Sequence, residues 1–209
     1  MQVFDNLVQK VDDDPASVKQ LYDDWAEGYN ANLTAWGYDA PQVGVSYLTG
    51  HVDPGAPVLD AGCGTGLVGQ HLRAAGFSSV TGIDFSDDSL QLAQASGVYQ
   101  AVQSVDLTAL PTPLPSNHFA AVICIGVMSY LPDVEATCRE FCRLARAGAT
   151  IVLSQRSDLF EARQTQAAFD AVTAAGLWQP IEVTGDRPYL PGNPEFEGTF
   201  VRYGAFQRL

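Results

Sequence analysis

The sequence predicts an α/β protein: a mostly parallel sheet with helices on both faces. Short apolar runs alternate with helical stretches from Val58 to Ala175, and alternation of that kind builds crossover units whose strands lie parallel. The run Phe119 to Gly126 is apolar throughout, as a strand buried on both sheet faces requires. Asp60, Asp84, Asp106, Gly126 and Ser154 stand at or near the ends of the predicted strands. Sheets of this class bind their ligands outside the carboxyl ends of the strands.

Taken in order, Val3, Phe4, Leu7, Val8 and Val11 share one helical face before Asp14-Pro15 interrupts it. A second helix from Val18 through Leu33 presents Leu21, Tyr22, Trp25, Tyr29 and Leu33 at spacings of three or four. Trp36-Gly37-Tyr38 turns the chain, and Pro41 to Leu48 carries a short helix. After Asp53-Pro54-Gly55, Val58–Asp60 is a strand, and Leu67 to Ala75 is a helix closed by Gly76. Val80 to Asp84 is the next strand. Asp87 to Ala95 follows as a helix capped by Ser86 and closed near Gly97. Ala101 to Leu107 is a third strand. Pro111-Thr112-Pro113-Leu114-Pro115 is loop, because proline fixes φ and lacks the N–H that regular structure uses. Phe119 to Gly126 is the fourth strand. Asp133 caps a helix whose inward face is Val134, Cys138, Phe141 and Ala145, ending before Gly148. Thr150 to Ser154 is a fifth strand, and Glu161 to Ala175 a helix ended by Gly176. Strands near Trp178–Val183 and Thr199–Phe206 complete the chain.

A length of 209 residues fits one domain, with 46% hydrophobic and 17% charged residues as in ordinary globular proteins. The net charge of −13, with no Lys/Arg cluster to reverse it locally, argues against nucleic acid or an anionic membrane as partner. An N-terminus carrying Asp5, Asp12, Asp13 and Asp14 is no signal peptide. The longest apolar run, Ala120 to Met128, falls short of the roughly 20 residues that span a bilayer. Four cysteines without a compact CxxC pair point to the reducing cytoplasm. Cys138 and Cys142 lie one helical turn apart, but the scattered histidines complete no metal site, so they read as buried thiols.

Chemistry concentrates in VLDAGCGTG, Val58 to Gly66. Its glycines, Gly62, Gly64 and Gly66, let the backbone turn sharply and approach a ligand closely. The loop, which includes Cys63, lacks the lysine of a phosphate-binding loop and the glycine spacing of a dinucleotide fingerprint. An acid ahead of it, Asp60, disfavours a pyrophosphate and suits a positively charged amino group such as that of S-adenosylmethionine. Asp84 ends the second strand in GIDFS and can accept hydrogen bonds from both hydroxyls of a ribose. Ser86 follows as a helix cap.

DAGCGTG resembles the first motif of the class I S-adenosylmethionine-dependent methyltransferases. YDDWAEGYNANLTAWGYDAP, VLDAGCGTGLVG, TGIDFS, GVMSYLPD and YLPGNPEF extend the resemblance along nearly the whole chain, to the methyltransferase-like proteins named for the Williams–Beuren syndrome region. The resemblance implies a three-layer Rossmann-like sheet of seven strands, the last antiparallel, under a helical N-terminal cover (residues 1–50). It implies that S-adenosyl-L-methionine is the cofactor and S-adenosyl-L-homocysteine the product. Asp106 would then receive the adenine amino group beside the Leu107 amide, with Phe85 and Leu107 sandwiching the ring. Tyr29 would lie against the methionine end, and Gly126 would bring its backbone close to the cofactor.

Methyl transfer from a sulfonium needs alignment more than acid–base chemistry. No catalytic residue is therefore assigned, and His51, His71 and His118 read as surface or structural. The acceptor pocket is expected among Tyr22, Trp25, Trp36, Met128, Tyr130, Arg156, Arg187 and Tyr189. The connection from Thr184 to Gly198 would serve as its lid. Arg156 and Arg187 either favour an anionic acceptor or pair with Asp158 and Asp186; Met128 reads equally as core. A small-molecule acceptor is expected, with a protein substrate, or non-catalytic cofactor binding through a partner, as alternatives. A nicotinamide oxidoreductase would share Asp84 but not Asp60 or Asp106.

Overall fold

The computed structural model describes residues 33–209. The two helices expected ahead of Leu33, and Tyr22, Trp25 and Tyr29 with them, lie outside the described residues. The described elements are α1 (Ala40–Ser46), β1 (Val58–Ala61), α2 (Leu67–Ala74), β2 (Val80–Asp84), α3 (Asp87–Ala95), β3 (Ala101–Ser104) and β4 (Phe119–Cys124). They continue with α4 (Val134–Leu144), β5 (Ala145–Arg156), α5 (Ser157–Ala162), α6 (Thr165–Ala174), β6 (Trp178–Val183), β7 (Arg187–Pro188) and β8 (Phe200–Arg208). Caps set several starts. Ser86 Oγ accepts from Ser89 N (3.2 Å) at α3, and Asp133 Oδ1 from Ala136 N (2.9 Å) at α4.

The strands form one eight-stranded sheet in the order β3-β2-β1-β4-β5-β8-β6, with β7 paired to β8. Strands β3, β2, β1, β4 and β5 run parallel. The last strand is antiparallel, as expected, and lies inside the sheet between β5 and β6. The strand beyond the expected seven is β7, two residues long, which sets Arg187 against Val201 and Pro188 against Phe200. Strand order reverses between β1 and β4, so the crevice above their carboxyl ends is the natural ligand position.

Both faces of the sheet are covered. Val58, Val80, Ile123, Val152 and Tyr203 pack with Val45, Leu72 and Ala93 of α1, α2 and α3, and with Leu48 just after α1. Leu59, Ile83, Val122, Ile151 and Phe206 pack with Cys138, Phe141, Phe169 and Val172 of α4 and α6. Trp178 stacks on Phe206 at 3.8 Å, and Phe169 meets both rings edge-on, favoured aromatic geometries. The Trp178 indole donates to Thr173 Oγ1 (3.0 Å), so its one polar atom is satisfied inside the core.

Boundaries differ where neighbours outweigh local pattern. The third strand stops at Ser104 rather than Leu107, because its partner β2 ends opposite it, at Asp84. The fourth ends at Cys124, before Gly126 takes a positive φ of 78°. The fifth runs longer, from Ala145 to Arg156, with a register shift opposite Phe119/Ala121. The helix expected over Glu161 to Ala175 is two helices, α5 and α6, broken at Gln164 (φ 51°). Beside the break, Thr165 is buried and donates to Gln155 Oε1 (2.6 Å), and Arg163 donates to Leu131 O (2.7 Å). The break also lets Phe160 and Phe169 meet edge-on in the core.

The proline-rich loop is clamped to α4. Thr112 N and Oγ1 both donate to Glu140 Oε1 (2.9 and 2.6 Å), and Arg143 donates to both Glu140 oxygens and to the carbonyls of Thr112 and Leu114. Burial pushes the Glu140 carboxyl up, but hydrogen bonds from Arg143 and Thr112 outweigh it and hold it below its ordinary range. Glu140→Gln is therefore expected to cost about 2–3 kcal/mol in urea unfolding at neutral pH. A depressed carboxyl stabilises above its unfolded value and ceases to as pH falls through the folded one, so the deficit should shrink on acidification. A deficit constant with pH would contradict this account.

Candidate functional site

The site is built where β1 and β2 end. Gly62 N and Cys63 N both donate to Ile83 O (2.8 and 2.9 Å), folding the loop after β1 across the end of β2. Gly62, Gly64 and Gly66 have φ of 79°, 49° and 96°, values that side-chain-bearing residues rarely adopt. A Cβ at Gly62 would stand 2.3 Å from Val127 Cγ2, whereas one at Gly64 would meet nothing within 4 Å. Gly62 is thus demanded by packing as well as conformation, and Gly64 faces open space.

Asp84 ties this turn to the next one. Its Oδ2 accepts from Gly64 N and its Oδ1 from Ser86 N, both at 2.9 Å. Phe85 beside it is half-buried. On the neighbouring strand end, Val105 N donates to Asp84 O (2.9 Å), Leu107 is buried and Asp106 is exposed. Asp106 Oδ1 accepts from Thr108 N and Thr108 Oγ1 (2.8 and 2.7 Å).

Asp60 is fully buried. Its Oδ2 accepts from the Tyr99 hydroxyl at 2.6 Å, and Oδ1 has no hydrogen-bond partner among the described residues. Burial pushes its carboxyl up to about 7; the Tyr99 hydrogen bond opposes the shift and the charge of Asp84 adds to it. Burial likewise raises the Cys63 thiol. Sequence reasoning missed Tyr99. Its only trace is the spacing it requires: a Cβ at Gly69 would stand 2.4 Å from its ring, and one at Gly82 would stand 3.0 Å from it and 2.9 Å from Cys63 Sγ.

A second group gathers near the ends of β4 and β5. Gly126 N donates to Ser154 Oγ (2.9 Å), and the Tyr38 hydroxyl lies 3.0 Å from where a Gly126 Cβ would be. Tyr38 meets Tyr189 edge-on at 5.7 Å; this tyrosine too was missed by the sequence reading, which took it only as part of a turn. Tyr130 and Tyr189 both act electrostatically on Arg156, which is largely buried and pairs bidentately with Asp158. Arg187 is exposed and lies 3.7 Å from Asp39, not beside Asp186, which Arg202 takes instead. The two arginines flank Val201 in register. Met128 packs in the core on the α4 side. Trp36 packs with Leu190 and Phe196, and its carbonyl accepts from Gly192 N (2.8 Å), anchoring the connection after β6. His51 and His118 are exposed, and among the described residues no group of His, Cys, Asp and Glu could hold a metal.

The family profile described as "Methyltransferase domain" matches residues 59–153. Methyltransferase-like protein 27 of Homo sapiens is 35% identical over 177 residues, covering 80% of this chain and 71% of that one. The ubiquinone biosynthesis O-methyltransferase of Xanthomonas oryzae pv. oryzae is 33% identical over 135 residues, and the chain spans about half of it, 54%. A geranyl diphosphate methyltransferase solved in complex with S-adenosylmethionine shares the fold, with a TM-score of 0.67 at 17% identity, over 87% of this chain and 91% of that one.

The packing of Tyr99 gives a direct test. Gly69→Ala forces its Cβ into the Tyr99 ring and is expected to cost about 1–3 kcal/mol in urea unfolding. Gly185→Ala, whose Cβ meets nothing within 4 Å, should stay within about 0.5 kcal/mol of the parent. Equal, small effects at both positions would refute the packing described.

Proposed function

Since this chain belongs to the class I S-adenosylmethionine-dependent methyltransferases, in the family of human Methyltransferase-like protein 27, we propose that it methylates a small-molecule acceptor held beside Gly126. The observation that carries this reading is the convergence of Tyr38, Tyr130, Arg156 and Tyr189 near the ends of β4 and β5, next to the glycine loop. An aromatic cluster with one arginine suits a compact organic molecule better than an extended polymer. The net charge of −13 supports the same choice against nucleic acid.

The residues present fit the cofactor. Asp60 holds a bare, buried oxygen suited to an ammonium. Asp84 accepts the Gly64 and Ser86 amides at the end of β2, where a carboxylate is suited to the hydroxyls of a ribose. Asp106 and the Leu107 amide take the adenine edge, with Phe85 and Leu107 against its faces, and Gly62, Cys63, Gly64, Gly66, Ser86 and Gly126 supply close-approach backbone. When bound, S-adenosylmethionine would supply an activated methyl group, whose carbon bonds to the acceptor as its bond to sulfur breaks and the neutral thioether leaves in line.

The chain's own task is to bind, orient and exclude water. The connection 184–198 closes over the acceptor, held by the short pairing of β7 on β8 and by Trp36. Trp36, Met128, Tyr130, Arg156, Arg187 and Tyr189 remain the acceptor-side candidates, with Tyr38 added. Arg156 can serve an acceptor carboxylate only by exchanging it for Asp158. Among the described residues no helix is long and apolar enough to cross a membrane. The four buried, unpaired thiols support a cytoplasmic setting.

Calorimetry with S-adenosylhomocysteine tests the cofactor site: Asp84→Ala should weaken binding by about 1.5–3 kcal/mol through lost charged hydrogen bonds. Release of S-adenosylhomocysteine is then followed with panels of small organic acceptors and of peptides. Turnover confined to the peptides would overturn the small-molecule reading.

A further inference from the structure

We propose that Tyr99 is a positioning residue for the amino end of the cofactor, and that cofactor binding is coupled to the loss of a proton from Asp60. The proposal rests on the methyltransferase reading above and assigns a role to a residue outside the glycine loop and the strand ends.

The direction of the hydrogen bonds carries it. Tyr99 Oη accepts from Gly69 N (3.2 Å), in the first turn of α2, and lies 2.6 Å from Asp60 Oδ2. With the amide hydrogen pointing at the phenol oxygen, the single hydroxyl hydrogen is committed to Oδ2. The hydroxyl therefore relays the positive end of α2 to the carboxylate. Since Oδ2 is occupied as an acceptor, a proton carried by Asp60 sits on Oδ1, the oxygen with no partner among the described residues. The ring can occupy this place only because Gly69 and Gly82 carry no Cβ.

Nothing else described there neutralises the charge. The groups facing Asp60 are Tyr99 from the segment before β3, Asp84 at the end of β2, Cys63 in the loop and Cys124 on β4. All are neutral or anionic, and none of the ion pairs among the described residues includes Asp60. A fully buried carboxylate with one neutral donor is costly when ionised, and its carboxyl is pushed up to about 7, chiefly by burial. An ammonium brought to Oδ1 reverses the balance. The neutral acid gives up its proton to solvent, the carboxylate pairs with the ammonium, and a proton leaves whenever the cofactor binds to the protonated form. Loss of the Tyr99 hydroxyl removes a donor that favours the charged form, so ionisation of Asp60, and binding with it, shifts to higher pH.

The experiment is calorimetry of S-adenosylhomocysteine from mildly acidic to mildly basic pH, in buffers of different ionisation enthalpy so that proton release is counted. Parent, Tyr99→Phe and Asp60→Asn are compared, with 5′-methylthioadenosine, which lacks the amino-acid end, as control ligand. The parent should release a proton on binding S-adenosylhomocysteine near neutrality and bind more tightly as pH rises; the control should do neither. Tyr99→Phe should bind about fivefold more weakly at neutral pH and about tenfold more weakly at mildly acidic pH, for a shift of about one pH unit, and recover at basic pH. Asp60→Asn should release no proton at any pH. Should Tyr99→Phe fail to fold, proton release by the parent against Asp60→Asn still decides. Binding by the parent without proton release, or a Tyr99→Phe deficit unchanged by pH, would overturn the proposal and leave the methyltransferase reading intact. A folded parent that binds neither ligand would instead remove the cofactor reading.

Discussion

The hydrogen bond from Gly64 N to Asp84 Oδ2 is the contact on which the site depends. It joins the turn after β1 to the turn after β2. With Ser86 N on the other carboxylate oxygen, it fixes both turns by one side chain. Backbone amides are suited to this task because they donate strongly, carry no charge of their own and move only with the main chain. Two acids, Asp60 and Asp84, stand at the ends of adjacent parallel strands. Amides meet both oxygens of Asp84 and the Tyr99 hydroxyl meets Asp60 Oδ2, whereas Asp60 Oδ1 has no partner among the described residues. Gly64, at a φ of 49°, presents one of those amides, while Gly62 N and Gly66 N donate to the carbonyls of Ile83 and Cys63 and hold the turn.

The rest of the fold holds those strand ends still. Parallel strands β1, β2 and β4 are buried on both faces, so their register is set by packing from above and below as well as by hydrogen bonds. Inserting β8 between β5 and β6 brings the chain back beside Arg156, and the short β7 then extends the sheet toward the connection that carries Tyr189. Thus the proposed acceptor side is built late in the chain and the proposed cofactor side early. Gly126 and Ser154 link the two through one hydrogen bond.

Much of this was legible before any coordinates. Val80–Asp84 and Asp87–Ala95 coincide with β2 and α3 because apolar runs, Ser86 and Gly97 mark their limits locally. The same holds for the break at the proline-rich loop and for the acids at the ends of β1 and β2. Several of the misjudged limits lay where a distant neighbour intervened. Leu107 is apolar yet lies past the end of β2, and the helix from Ser157 breaks at Gln164 where Thr165 is drawn to Gln155. The pairing of Arg187 with Asp39 rather than Asp186 is of the same kind, since Arg202 reaches Asp186 from β8.

By itself the sequence determined the alternating architecture, the glycine turn, the carboxylates at the strand ends and the family to which they belong. Each of these is written in neighbouring residues, where spacing and backbone preference act. Only the tertiary structure decided which oxygen of Asp60 is occupied, that Tyr99 occupies it, and that Tyr38 reaches Gly126. Those contacts join residues far apart in the chain, and their existence depends on where three layers bring side chains to rest, a property of packing that no local pattern encodes.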